Sequence, residues 1–514
     1  MKVEFLGHSG FVVEHAGARV ACDPWLSPRG AYHASWFQLP QNHHLFARSY
    51  DDLAAVVLSH EHYDHLDVDF LRQRLTPATP IVVPRYPSRN LVDKLTRITK
   101  NPVIEVDSGA EHVLTPGGLK VLFTSEESPA NQDSCITFFD DEHVLVNLND
   151  ARLTPKQRGQ LQRRFGTIDA VMLQCAGASW FPMRYRYSEE RTRELSREKR
   201  KAKLEYAFHT LEHLAPRIGL PYAGPCAFLD QALQRHNDEL GEDNIFPDQA
   251  ESAAWLRARG YGERLELPLP GDRLDLATGA FEADREIRRT FSWEDKAGYI
   301  RAYADRVQAT IAAEIASLER PATSLFPAFK AYFERLGDLN AYFRSRIDME
   351  LRFVIDGPHG GDWLVRCHAD GVEVSDTAGR RADYTLWLED LWLHQILSHH
   401  LAWEDFFLSL RFEAERDPDV YNDHLLSWLK FADEDALRAV ERYESSRREN
   451  QRIEVEANGH RYLISKYCPH AGASMEKAVI EGTTITCLNH HYRFDLETGK
   501  CLNGNCTLFT KRLD

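Results

Sequence analysis

Short apolar runs broken by turn residues set the pattern of the first 150 positions. Phe11-Val12-Val13, Arg19-Val20-Ala21-Cys22, the run 54–58 and Ile81-Val82-Val83-Pro84 predict β-strands. Several end in polar residues suited to the rim of a site: Asp23, Ser59 with His60, and Asp150 after the run 144–149. Helical spacing over 67–74 and 155–164 falls between the strands, so stacked β and α layers are expected. Residues 189–214 predict one long charged helix that stops near Pro216. Residues 285–345 read as mostly helical. The runs 351–355 and 363–367 read as a hairpin across a Gly/Pro/His turn. Helices follow at about 389–412 and 418–445, then a polar linker over 444–452 and a β-rich end over 453–514.

Composition narrows the class. A chain of 514 residues suggests roughly three domains at about 150 residues each. The net charge of −16 argues against nucleic acid and against a polybasic membrane anchor. No run approaches the ~20 apolar residues of a membrane span, and the N-terminus shows no signal-peptide pattern, so cytoplasm is the expected location. The nine cysteines are too scattered for a disulfide framework. Cys468, Cys487, Cys501 and Cys506 nevertheless crowd the C-terminus, which points to metal or redox chemistry.

Cys468-Pro469-His470 is followed, after 16 residues, by Cys487-Leu488-Asn489-His490. In this C-x-H … C-x-x-H arrangement two thiolates can hold one iron of a [2Fe–2S] cluster and two imidazoles the other. A zinc ribbon could use the same ligands, but zinc sites more often use C-x-x-C pairs. The segment 452–514 resembles a Rieske domain, with Cys468, His470, Cys487 and His490 as cluster ligands. Cys501 and Cys506 lie outside the two ligand loops, so the loop–loop disulfide of the respiratory type is missing. The resemblance is therefore to the lower-potential kind that feeds oxygenases.

His60-Glu61-His62-Tyr63-Asp64-His65 directly follows the apolar run ending in Leu58. This H-x-H-x-D-H loop aims several borderline ligands at one point, which suits one or two zinc or iron ions. It resembles the metallo-β-lactamase fold, an αββα sandwich with the metal site at one edge. Gly7-His8-Ser9-Gly10 and Cys22-Asp23-Pro24-Trp25-Leu26 match the opening of its UlaG-like branch. The resemblance makes Asp150 the bridging carboxylate. Where the family has a further histidine this chain has Asn131-Gln132-Asp133, so Asp133 is the candidate ligand. Where the family has its last histidine, Pro221-Tyr222-Ala223-Gly224-Pro225 has none. His209 and Glu212, three apart on the long helix, read as a solvated face, and Asp243, Asn244 and Asp248 as turn capping.

The two metal signals together resemble the CMP-N-acetylneuraminate hydroxylases, which join the same two parts with the Rieske part first. Matching text includes Asp133-Ser134-Cys135-Ile136, the run 147–151 and the run 177–182. The resemblance implies a monooxygenase: His60, His62, Asp64, His65 and Asp150 as catalytic ligands, with Asp133, hold one or two non-heme irons. O2, an external donor (ferredoxin, cytochrome or flavin reductase) and a polar small-molecule substrate complete the reaction. Carbon hydroxylation of a nucleotide-sugar-like substrate and N-oxygenation of an amine both fit. The alternative is a zinc hydrolase of phosphoesters or lactones whose cluster regulates. A third reading is a non-catalytic redox or ligand carrier. The expected organisation is multidomain α/β: a metallo-β-lactamase-like domain over 1–290, a helical connection over 291–345, an α+β segment over 346–447 that resembles sterol-carrier-protein-2, and an all-β Rieske domain over 452–514. A homo-oligomer in which a neighbouring subunit supplies the cluster is compatible with this plan. Basic residues from Arg191 to Lys203 could hold a phosphate or carboxylate, although a solvated helix explains them as well.

Overall fold

The computed structural model describes every residue except 177–178, 239, 262–264, 377–380, 448–450, 471–473, 477 and 488–490. The chain separates into two compact units. The first comprises Met1–Glu126, Gln132–Ala178 and Arg193–Ala316; the second comprises Glu127–Asn131, Ser179–Thr192 and Ser317–Asp514. Among the described residues, no helix is long and apolar enough to cross a membrane.

Two sheets face each other in the first unit. The larger has eight strands, in the order Ala280–Glu282, Arg273–Asp275, Lys2–Gly7, Gly10–His15, Ala18–Cys22, Leu53–Val57, Ile81–Pro84 and Val103–Val106. The smaller has six, in the order Ile218–Tyr222, Ala170–Gln174, Val144–Asn147, Ser134–Phe139, Lys120–Ser125 and Glu111–Val113. Period-two alternation explains the layers. Phe11, Val13, Val20, Cys22, Ala55 and Val57 turn inward and meet Phe123, Ile136, Phe138 and Met172 of the other sheet. Their neighbours Val12, Ala21, Val56, Leu58 and Ile81 turn outward under the helices Val68–Gln73 and Asn90–Ile98. The smaller sheet is covered in the same way by Leu161, Leu204, Ala207, Leu211 and Leu256 from three helices. Strands buried on both faces read as unbroken apolar runs, which is why they stood out in the sequence.

The first unit runs past residue 290. Ile300, Tyr303, Ala304, Val307 and Ile311 form one stripe of the helix Lys296–Ala316 and pack on Phe37, Leu229 and Leu269. The helix begins at the expected connection and belongs to this core.

The second unit contains a five-stranded sheet in the order Gly371–Asp376, Gly361–His368, Met349–Asp356, Tyr384–Glu389 and Phe412–Arg416. The hairpin expected over 351–367 is present, pairing Leu351 with Val365 and Phe353 with Trp363. The single helix expected over 389–412 is instead two, Asp390–Leu397 and Trp403–Leu408, followed by the strand Phe412–Arg416. His399, at φ 59°, breaks the first. The helix expected over 418–445 is likewise broken at Ala432, φ 45°, into Asp423–Phe431 and Glu434–Arg447. The C-terminal part has two three-stranded sheets, Arg452–Ala457 with His460–Ser465 and Thr510–Arg512, and Val479–Glu481 with Thr484–Thr486 and Arg493–Asp495. Tyr462, Ile464, Ile485, Phe494 and Leu508 fill its core around Cys468 and Cys487.

Candidate functional site

The parallel strands Ala18–Cys22 and Leu53–Val57 deliver Asp23 and the loop 60–65 from their carboxyl ends. Val144–Asn147 and Ala170–Gln174 deliver Asp150 and Gln174 in the same manner. Ends of parallel strands are where α/β sheets gather ligands.

The donors converge in two groups, His60 with His62 and Asp150, and His8 with Asp64 and His65, each with its ligand atoms within 4.8 Å of one another. His60 Nε2 lies 2.9 Å from His62 Nδ1. His65 Nε2 lies 3.5 Å from an Asp150 oxygen and 3.7 Å from an Asp64 oxygen, so Asp150 links the groups.

An outer layer fixes these side chains. Asp23 accepts from the Ser59 backbone at 2.8 Å and from its hydroxyl at 2.7 Å, and lies 2.9 Å from His65 Nδ1. That contact turns His65 Nε2 inward, where it is buried without a hydrogen bond among the described residues. Tyr32 donates its hydroxyl to Asp64 at 2.5 Å, and Gln174 its amide to Asp150 at 2.6 Å. His8 and Asp23 both hold left-handed backbone, at φ 52° and 40°. Gly10 passes so close to Asp23 that a Cβ there would lie 2.8 Å from the Asp23 carbonyl oxygen.

Electrostatics bind the cluster together. Burial works to raise the Asp64 carboxyl, but His65, His8 and His62 hold it below the ordinary carboxylate range. Burial opposes a charged His65, yet Asp64, Asp150 and Asp23 push its imidazole well above the ordinary value. A divalent cation satisfies the same carboxylates. Four imidazoles, two carboxylates and an orphaned inward nitrogen therefore fit one or two iron or zinc ions.

The structure brings together His60, His62, Asp64, His65 and Asp150. Asp133 belongs to neither group. Its oxygen lies 3.7 Å from His60 Nδ1, the nitrogen on the far side of the ring from His62. His8 was not legible as a donor, although two flanking glycines marked its turn. The strand that lacks a histidine braces the one that supplies it: the Tyr222 hydroxyl accepts from Gly7 at 2.9 Å and donates to the Gly10 carbonyl at 2.5 Å. His209 and Glu212 pair with each other on an exposed face, and Asp248 caps the helix Gln249–Ala258.

At the C-terminal part, Cys468 and Cys487 are buried thiols. The His470 ring stacks on Tyr492 with centroids 4.1 Å apart, and its Nε2 lies 3.3 Å from Asp423. Tyr492 donates to both oxygens of Asp423, at 2.9 and 2.8 Å. Asp423 opens the helix Asp423–Phe431, whose cap is Asn422. His490 lies outside the described residues. Two buried thiols and an oriented imidazole fit the cysteine and histidine sides of a [2Fe–2S] cluster.

Two family models match: a beta-lactamase superfamily domain over residues 18–221 and a Rieske [2Fe-2S] domain over 427–510. The chain joins a metallo-β-lactamase-fold domain to a C-terminal Rieske domain. It is similar, at 29% identity over 98% of both chains, to a Rieske 2Fe-2S iron-sulfur protein of Mycolicibacterium smegmatis. It is 24% identical to the cytidine monophosphate-N-acetylneuraminic acid hydroxylase of Danio rerio, over 85% of this chain and 72% of that one. In the solved structure of CmlA, a diiron beta-hydroxylase from Streptomyces venezuelae, 53% of each chain is covered at 17% identity with a TM-score of 0.37.

A Rieske domain carries a [2Fe–2S] cluster that passes single electrons, so the protein is an oxidoreductase. If His470 holds the cluster through its other nitrogen, Asp423 would set a negative acceptor on its Nε2 and favour the oxidised state. Asp423→Asn is expected to raise the Rieske midpoint potential by on the order of 60 mV, about tenfold in a one-electron equilibrium. Redox-poised electron paramagnetic resonance reads it, and an unchanged potential would remove that role from Asp423.

Proposed function

We propose that this protein is a Rieske-coupled non-heme iron oxygenase that inserts oxygen from O2 into a polar small molecule. The observation that carries the reading is a donor set for two linked metal positions, built around Asp150, in a chain that also holds a Rieske domain. A hydrolytic zinc site needs no electrons, and a Rieske cluster delivers them. The similarity to a hydroxylase over most of the chain supports the same class. A carbon of a nucleotide-sugar-like substrate or an amine nitrogen would be the site of insertion. A ferredoxin, cytochrome or flavin reductase would supply electrons.

Each residue then has a task. His60, His62 and Asp150 would hold one iron, and His8, Asp64 and His65 a second. Bound iron supplies O2 activation. Asp23 orients His65, and Tyr32 and Gln174 occupy the oxygens of Asp64 and Asp150 that they touch. Trp36 and Phe246 line a cleft beside His8 and Asp64, where their rings would exclude water from a bound substrate.

Metal analysis of anaerobically purified protein tests the reading. About four irons per chain, a Rieske signal after reduction and reductant-dependent O2 uptake are expected. About two irons with two zincs, and phosphoester or lactone turnover without O2, would replace it with the hydrolase.

A further inference from the structure

The basic stretch of the helix Glu189–Leu214 is divided between two jobs. Arg193 and Arg197 reach Asp243 at 3.5 Å each, and Arg200 donates to the Asn244 carbonyl at 3.1 Å. These arginines fasten the helix to the loop beside it. Lys203 does something else. It is 4% exposed, and its ammonium donates to the Ala176 carbonyl inside the unit. There it lines a narrow cleft that opens to solvent, together with Asp150, Arg152, Gln174 and Tyr206.

A lysine ammonium buried in the same cleft as Arg152 costs the fold free energy. Asp150, read above as the carboxylate that links the metal positions, lines the same cleft. Once a cation takes that charge, the cleft wall is left with excess positive potential beside the metal centre. We propose that Lys203 and Arg152 anchor an oxyanion of the substrate, a carboxylate or phosphate group, next to Asp150. This rests on the reading of Asp150 as a metal ligand and adds the substrate class to it. Ammonium and guanidinium groups are the usual partners of such anions, and the apolar seat of Lys203 strengthens the contact.

Calorimetric titration of the metal-loaded full chain at low ionic strength tests this, with inorganic phosphate and, separately, acetate as probes. Lys203→Met is expected to weaken binding at least tenfold while the metal content stays as in the parent. Arg152→Met, at a less buried position, should weaken it similarly and serves if the lysine variant fails to fold. Tighter binding of phosphate would assign a phosphorylated substrate, and tighter binding of acetate a carboxylate. Equal affinity in the parent and both variants would place the anion on the metal alone and overturn the proposal. Loaded metal with no binding of either probe would also overturn it, while leaving the metal centre intact. Failure of the parent chain to retain metal would instead overturn the reading beneath it.

Discussion

Replacing Asp150 by Asn is expected to empty both metal positions and to lower turnover roughly 100-fold or more, since even outer partners of a metal site are worth 10- to 100-fold. Among the described residues, Asp150 stands with His60 and His62 and also reaches His65. An asparagine keeps the shape but removes the charge, and Gln174 already donates to one oxygen at this position. Plasma emission would read the metal lost, and O2 uptake the turnover. The Rieske signal of the same sample serves as the internal standard for folding, because the Rieske domain belongs to the other unit. Asp133→Asn makes the useful contrast. Its oxygen lies at the far nitrogen of His60, so its loss should loosen that histidine and cost less metal. If Asp133→Asn emptied the site while Asp150→Asn did not, the assignment of the linking carboxylate would be wrong.

Legibility followed locality. The loop 60–65 was readable because an apolar strand and a dense ligand pattern are adjacent in sequence, and Asp150 because it ends a buried run. His8 is a donor only through distance. It comes from a turn more than fifty residues away that Tyr222 braces at Gly7 and Gly10, and Tyr222 lies where the resembled fold has its last histidine. Nothing in a local window reports such a substitution of one element by another. Lys203 shows the same limit. Its neighbours Arg197 and Arg200 face a loop and look alike in sequence, and only the packing of Ala207 and Leu211 on the sheet turns Lys203 inward. The helices near 399 and 432 were overextended because left-handed His399 and Ala432 carry no glycine or proline to announce the break.

Cys468→Ala is expected to abolish the Rieske signal and all multiple turnover, while the metal of the first unit remains. The thiol sits in the small core with Tyr462, Ile464 and Ile485, so its loss would remove a proposed cluster ligand and leave a void costing about 1 kcal/mol or more. The first unit has separate cores, and its donors do not depend on that thiol. An oxygenase without its electron source stops after any stored electrons are spent; a hydrolase would continue. Retained turnover in the Cys468→Ala chain therefore favours the hydrolase directly. The same chain also decides the route of electrons. Mixed under subunit-exchange conditions with His62→Ala, which keeps the cluster and lacks a ligand of the metal centre, it carries the complementary half of the machinery. Restored O2 uptake would mean that one subunit reduces the metal centre of another. No restoration, with exchange shown by tagged chains, would mean that each chain serves its own.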